Sequence, residues 1–543
     1  MPIVSETHTV PTTVEKTTGE KMKHRPDERG PDEHGPDRYK SPRRVPRRRR
    51  WAGTVAIAGS VALSAVGTQV VTDPAHAAGD DPSGSAQAAA ASSAPLRVWA
   101  PKRVVVRAYG KQVYDDLGVQ LIAGSSPFEV RTTRASYKVA PVTKAIIGDR
   151  EVTLPVPASA PLGSLPGFTR LTLTPKSGGQ ARVINAPTCF SNYAQQRITP
   201  SAPATSPYPD ECTYNAYSLG TVQGLQAGWA LSPYLDRSFK IATGRYDATV
   251  QIAPRYAKAL GLSTAQSSRA FTLVVKKGAD GRRKVAETDG DIATPAAHPP
   301  TGKTASQTGV ADSGPRPDLR SMPAWGISLN KKGTVLRFSA TVWNGGDSPL
   351  VVDGFRRGNK PVMDAYQYFF DADGNQTGYE PVGTMEWDNR PSHFHWHFHD
   401  FARYSLLDAN KKNVKISGKE SFCLANTDAA DLTVSGAAWR PDNTDLATAC
   451  GDQSSISLRE VLASGWGDTY TQYRAGQAFD ISKLPNGTYF ISVNANPHKA
   501  LVEQSYTNNQ SLRKIRIKGT AKHRRVVVSQ IGIIDHEGYG GTG

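Results

Sequence analysis

One stretch constrains this chain more than any other: Glu386-Trp387-Asp388-Asn389-Arg390-Pro391-Ser392-His393-Phe394-His395-Trp396-His397-Phe398-His399-Asp400-Phe401. Four of the twelve histidines fall within seven residues, alternating strictly with Phe394, Trp396 and Phe398. Successive side chains of an extended strand point to opposite faces, so this pattern predicts one imidazole face and one aromatic face. The aromatic face reads as core. The imidazole face has no packing rationale, and neutral imidazoles converging from one strand suit a borderline metal such as copper or zinc. The bland alternative is a polar strand face, or surface histidines that bind metal adventitiously. A solvated face would more usually carry Thr, Lys or Glu.

At 543 residues the chain exceeds one core, and two folded domains plus tails is the natural division. The Gly and Pro content and the many short Val/Ile/Thr/Tyr runs predict a mainly β protein. The formal charge is +17, but residues 1–50 hold 13 Lys/Arg against 8 Asp/Glu, and residues 51–77 hold only Asp73. The remaining +13 is scattered, with no arginine-rich helix and no basic run interleaved with aromatics. Acidic cell-surface polymers account for it as well as DNA would, and we expect no nucleic-acid partner.

Residues 1–77 read as an export segment. Arg43, Arg44 and Arg47 to Arg50 form a basic region, residues 51–70 an uncharged small-residue apolar run, and Ala75-His76-Ala77 a cleavage signal. Twenty apolar residues could also span a bilayer as an uncleaved anchor, but the run is only modestly hydrophobic, so cleavage and a secreted, extracytoplasmic mature chain are favoured. The paired arginines leave Sec and twin-arginine routes both open. The four cysteines fall into two local pairs, Cys189 with Cys212 and Cys423 with Cys450. In an oxidising compartment each pair would close a loop of about two dozen residues and contribute roughly 3 kcal/mol. None lies in a CxxC pattern, which disfavours a thiolate metal site.

An Ala/Ser/Gly-rich linker at 78–95 leads to a first domain at 96–276. Strands are expected there at 97–99, 104–107, 137–139, 168–173, 246–252 and 271–275, in the manner of a β-sandwich. No chemical constellation is visible in it, so it reads as a spacer or a substrate- or wall-recruiting module. Residues 277–315 read as a solvated linker. A second domain spans 316–520, with strands at 334–343, 350–354, 364–370, 401–407, 489–494 and 512–517, followed by a basic tail at 521–543 that holds at most one strand, at 526–528. Asp371-Ala372-Asp373-Gly374 lacks the rest of an EF-hand loop and is read as a plain β-turn.

Two downstream segments matter. Gly418-Lys419-Glu420-Ser421-Phe422-Cys423-Leu424 sets a lysine beside a cysteine strand, and Gly465-Trp466-Gly467-Asp468-Thr469-Tyr470 sets a tyrosine in a glycine-bounded turn. Either alone is uninformative, since most lysines are surface charges and most tyrosines pack. With the histidines they form a set. The order Trp387, His393, His395, His397, Asp400-Phe401, Tyr404, Leu406-Leu407-Asp408-Ala409 resembles the copper-binding segment of the lysyl oxidase family. The Lys419 and Tyr470 segments resemble its cofactor-lysine and cofactor-tyrosine segments. Asp480-Ile481, Pro485-Asn486-Gly487-Thr488-Tyr489, Val493-Asn494 and Glu503-Gln504-Ser505-Tyr506-Thr507-Asn508-Asn509 continue the likeness in order.

That resemblance covers residues 316–520 and implies a lysyl oxidase-type β-sandwich catalytic domain behind the N-terminal β-sandwich-like one. It implies copper on His393, His395 and His397. His399 is a spare, and a register slipped by two would use 395, 397 and 399 instead. It implies that Lys419 and Tyr470 are joined into lysine tyrosylquinone, and that calcium sits among Asp318, the Leu319 carbonyl, Glu503, Asn508 and Asn509. Ser505 stands where that site usually has an acidic ligand. Cys423 matches a family cysteine. The implied reaction takes a primary amine, on peptidyl lysine or a small molecule, together with oxygen, and yields aldehyde, ammonia and hydrogen peroxide.

The residue types suit that chemistry. Amine oxidation needs an electron sink that ordinary side chains lack. A lysine can add to an oxidised ring because its amine loses a proton readily when desolvated, whereas arginine stays charged. Asp468, two residues before Tyr470, is a candidate general base, with orienting the backbone as the alternative. Redox cycling favours copper over zinc. The alternative is a non-enzymatic extracellular copper-binding or structural protein on the same fold, which would need neither Lys419 nor Tyr470. A zinc hydrolase is a third reading, and the chain has no His-Glu-x-x-His pattern to support it. No heptad or interface-grade stripe speaks for an oligomer.

Overall fold

The computed structural model describes residues 93–109, 111–113, 117–191, 195–233, 239–278, 314–388, 395–419, 421–441, 444, 446–474, 476–520 and 523–534. The expected export segment, most of both linkers, Phe394 and His393 lie outside the described residues. Among those described, no helix is long and apolar enough to cross a membrane.

Among the described residues the fold is mainly β, with two helices of seven and four residues, Pro254–Leu260 and Thr264–Ser267. The first β region holds two four-stranded sheets and one of seven strands. Period-two patterning explains it. In Gly244–Ile252, Tyr246, Ala248, Val250 and Ile252 are buried while the residues between them face outward. That strand pairs antiparallel with Leu165–Pro175 on one side and Ser268–Lys277 on the other. Phe168 anchors the core beneath, with its ring against Phe190 and Tyr256.

The second region builds three sheets around its own core. One carries Leu319–Ser321, Val335–Asn344, Trp466–Tyr470 and Asp428–Ala429 in that spatial order. The next runs Ser421–Phe422, His395–His399, Gln376–Asp388, Val362–Phe370, Leu350–Arg356 and Ser457–Leu462. The third runs Asn413–Ile416, Ala402–Leu407, Gly487–Ala495, Gln510–Thr520 and His523–Val528. Two smaller apolar clusters draw on both regions. One joins Tyr217 to Met322, Trp325, Trp343 and Ala430, and the other joins Tyr208 and Val222 to Leu432.

Both cysteine pairs are bonded as expected, Cys189–Cys212 and Cys423–Cys450, with Cα atoms 6.2 and 5.8 Å apart. Two expectations are corrected. Residues 137–139 form a turn, because Ser136 takes up the following backbone N–H groups and the Tyr137 ring packs edge-on against Tyr217. Tyr470 lies in a strand rather than a turn, since residues 467–470 pair in register with 340–343. The added strand at 526–528 is present as part of His523–Val528, which completes a sheet, and the Ile533 N–H donates to the Tyr137 carbonyl at 2.9 Å.

Candidate active site

The histidine strand His395–His399 lies between Gln376–Asp388 and Ser421–Phe422. Trp396 and Phe398 enter the core as the alternation predicts, and the Trp396 indole N–H donates to the Asp452 carbonyl at 2.8 Å. On the opposite face the Nε2 atoms of His395 and His397 come within 2.8 Å of each other. Asp388 stands 3.3 Å from His397 Nδ1 and, at that ring atom, orients the imidazole so that Nε2 points toward His395. Asp388 was quoted in the sequence stretch without a role. The hairpin brings it to the register position opposite His395, which no local pattern announces. His399 turns its Nε2 toward Glu386, at 3.3 Å. Among the described residues no three His, Cys, Asp or Glu side chains gather as a metal cluster, and this strand contributes the two converging imidazoles.

The strand Ser421–Phe422 ties the histidines to the second half of the site, with Phe398 opposite Phe422 and His399 opposite Ser421. Just before it, Lys419 is buried, at 3% exposure, and its Nζ sits 4.0 Å from the Tyr470 ring centroid and 5.0 Å from that of Phe422. Gly476, at φ +86°, lets the following loop lie over the lysine, since a Cβ there would be 2.8 Å from Lys419 Cβ. The Tyr470 hydroxyl donates to the Cys423 carbonyl and accepts from the Cys423 N–H, both at 3.1 Å. The disulfide at Cys423 and the edge contact of Phe422, 5.0 Å between ring centroids, hold that phenol in place.

The surroundings are strongly acidic in composition yet nearly dry. Burial pushes the Asp468 carboxyl well above the ordinary carboxylate range, with Lys419 pulling against it and Asp428 adding to it. Burial likewise raises Glu460 far above its usual value, while the Leu424 N–H donating to Oε2 at 2.9 Å partly offsets this. The Tyr470 phenol is pushed well above its ordinary value by burial, then by Asp468 and Glu460. Glu460 escaped the sequence reading because Ser-Leu-Arg-Glu-Val-Leu looks like an ordinary edge strand, and its burial depends on the sheet laid over it.

The residues matched to a calcium site also gather. Asn508 Nδ2 donates to both Asp318 oxygens at 3.0 Å, and Asn509 Nδ2 to Glu503 Oε1 at 2.7 Å. The Leu319 N–H donates to Glu503 Oε2 at 2.8 Å, and Arg320 pairs with Asp318 at 2.7 Å. The Oδ1 atoms of Asn508 and Asn509 are buried without a hydrogen-bond partner among the described residues. Burial raises the Glu503 carboxyl, opposed by the Asn496 and Asn509 amides.

Fold and site together define a β-rich domain in which an imidazole pair is linked through one short strand to a buried lysine set against a half-buried tyrosine. Residues 372–528 match the lysyl oxidase family model, so this segment of the chain is similar to that family. Human protein-lysine 6-oxidase is 31% identical over 140 residues, which is 26% of this chain and 30% of that protein. Human lysyl oxidase homolog 1 is 31% identical over 132 residues, 24% of this chain and 20% of that protein. Pig protein-lysine 6-oxidase is 30% identical over 140 residues, 26% of this chain and 49% of that sequence. The chain thus spans less than half the length of these relatives.

Proposed function

We propose that this chain is an exported, copper-dependent amine oxidase of lysyl oxidase type that deaminates primary amines, with peptidyl lysine as substrate. One observation carries the reading: a buried lysine amine 4.0 Å from the centroid of a half-buried tyrosine ring, next to a strand of histidines. A surface lysine and a packing tyrosine would have no reason to be sealed together. The names of the human and pig relatives, protein-lysine 6-oxidase, support the substrate class. The basic mature chain suits an acidic cell wall or matrix.

In this reading His393, His395 and His397 hold copper, and the Asp388 contact keeps His397 aimed at it. Imidazole donors fit a copper ion, and the Nε2 atoms of His395 and His397 converge to 2.8 Å. Copper and a lysine tyrosylquinone made from Lys419 and Tyr470 supply the electron sink for amine oxidation. The Cys423 backbone N–H and carbonyl both bond the Tyr470 hydroxyl and keep the ring beside Lys419. Asp468, raised toward neutrality by burial, is the base that takes the proton from the amine-bearing carbon. Overall one amine, one O₂ and one water give aldehyde, ammonia and hydrogen peroxide. Asp318, the Leu319 carbonyl, Glu503, Asn508 and Asn509 offer the hard oxygen donors that calcium takes, and the two orphaned amide oxygens favour a cation there. Arg320 already neutralises one of the carboxylates, so calcium affinity is expected to be modest.

The test is mass spectrometry of purified, copper-loaded, aerobically matured protein, with quinone staining alongside. A cross-linked peptide joining residues 419 and 470 is expected. Two unmodified peptides would discard the oxidase and leave a copper-binding structural protein.

A further inference from the structure

Among the described residues no His, Cys, Asp or Glu cluster gathers in the first β region, yet one of its segments reaches the neighbours of the strand that carries Tyr470. It begins just after Cys212, which the disulfide to Cys189 pins. The Tyr214 hydroxyl donates to the Thr427 carbonyl at 3.0 Å. The buried Asn215 amide donates to Thr341 Oγ1 at 3.4 Å and to Asp428 Oδ1 at 3.5 Å. Ser218 Oγ donates to the Ala429 carbonyl and the Leu219 N–H to the Ala430 carbonyl, both at 2.7 Å. Leu432 returns a hydrogen bond to the Gly220 carbonyl at 3.0 Å. Gly220 is required there, because a Cβ would lie 2.1 Å from the Asp431 carboxylate. Tyr217 accepts from the buried Arg513 of the opposite sheet.

Three of the groups this segment touches, Thr341, Thr427 and Asp428, in turn touch residues 467–469. The Thr341 and Thr469 hydroxyls are 2.7 Å apart. Thr427 Oγ1 accepts from the Thr469 N–H at 2.7 Å. Asp428 pairs with Gly467 across the ladder, and Ala430 N–H donates to the Gly465 carbonyl. We infer that the segment Tyr214–Gly220 is a positioning element of the oxidase site: acting through Thr341, Thr427 and Asp428, it sets the placement of Tyr470 and the charge felt by Asp468. The first region is then part of the catalytic apparatus rather than a spacer.

The electrostatics agree with the geometry. The charged and titratable groups facing Asp468 are Lys419, Asp428, Glu460, Tyr404 and Tyr470. Asp428 is itself held by Tyr214 and Asn215 from one region and by Thr427 and Thr469 from the other, and its charge pushes Asp468 upward.

The kinetic half of this inference rests on the oxidase reading, and the structural half does not. In the copper-loaded full chain, Asn215→Ala should slow formation of the 419–470 cross-link about tenfold, because a misplaced ring reacts less often. Asp428→Asn should move the acid limb of amine oxidation down by about one pH unit, since a negative neighbour of Asp468 is lost. Tyr214→Phe removes one hydroxyl only, and serves with the same expected direction should Asn215→Ala fail to fold. Hydrogen exchange at residues 466–470 should quicken in Asn215→Ala and stay unchanged at 246–252. Wild-type cross-linking with an unmoved acid limb would overturn the inference, even if exchange quickened, by reducing the segment to ordinary packing. If the wild type itself forms no cross-link, the oxidase reading falls, and quickened or unchanged exchange at 466–470 then upholds or overturns the structural half.

Discussion

The two β regions share one construction principle and differ in what they bury. Among the described residues, the first holds a single buried charged side chain, Arg134, whose guanidinium spans the carbonyls of Ala216 and Ser218 at the junction. Its other buried polar groups are neutral, such as the hydroxyl pairs Thr132–Thr143 and Thr169–Thr188. The second buries Asp318, His397, Lys419, Asp428, Glu460, Asp468, Glu503 and Arg513. Glu460 Oε1 and Asp468 Oδ2 lack hydrogen-bond partners among the described residues. Such groups cost stability, so a core that keeps them is shaped for reactivity, whereas the first core is shaped for packing.

Lys419→Met puts the contrast to its severest test. We expect amine oxidation and cross-linking to vanish, while the metal-free protein gains about 1 kcal/mol in urea unfolding, as a buried charge gives way to a thioether chain. A loss of stability there would mean that the lysine serves packing after all. Next comes Asp468→Asn, which keeps the shape but not the base: kcat should fall by roughly 10² to 10⁴ and its acid limb should disappear. A full-strength enzyme would remove Asp468 from the mechanism.

Phe168→Ala probes the other side of the comparison. Truncating this ring between Phe190 and Tyr256 should lower stability by about 3–5 kcal/mol, read by calorimetry, while the folded fraction keeps the wild-type pH profile. The smallest effect is a slope. Glu460 has its carboxyl raised by burial, so the folded state holds a proton that the unfolded state releases first. Its contribution is complete below the unfolded carboxyl range and is lost as pH climbs through the folded value, by at most about 1.4 kcal/mol per pH unit. Glu460→Gln should flatten that descent in metal-free protein, and an unchanged slope would assign the descent to Asp468 or Asp428.

Some of this was legible before any fold was known. The alternation of 393–399 dictated which side chains would be core, because a strand's period of two is a local property, and Trp396 and Phe398 are buried accordingly. The spacing of the cysteines was equally readable, since nearby partners close short loops at little entropic cost. The misreadings at 137–139 and at Tyr470 share a cause. A turn and an edge strand use similar residues, and here Tyr217 and strand Val335–Asn344 made the choice.

The chain's local pattern thus determined the two faces of the histidine strand, the covalent ties and the mainly β character. Tertiary structure alone decided that Lys419 lies on the ring of Tyr470, that Asp388 reaches His397, and that a segment around Asn215 braces the strand of the second region. Periodicity is written in neighbouring residues. Sheet order and register join residues far apart in sequence, and they emerge only when the whole set of strands is packed.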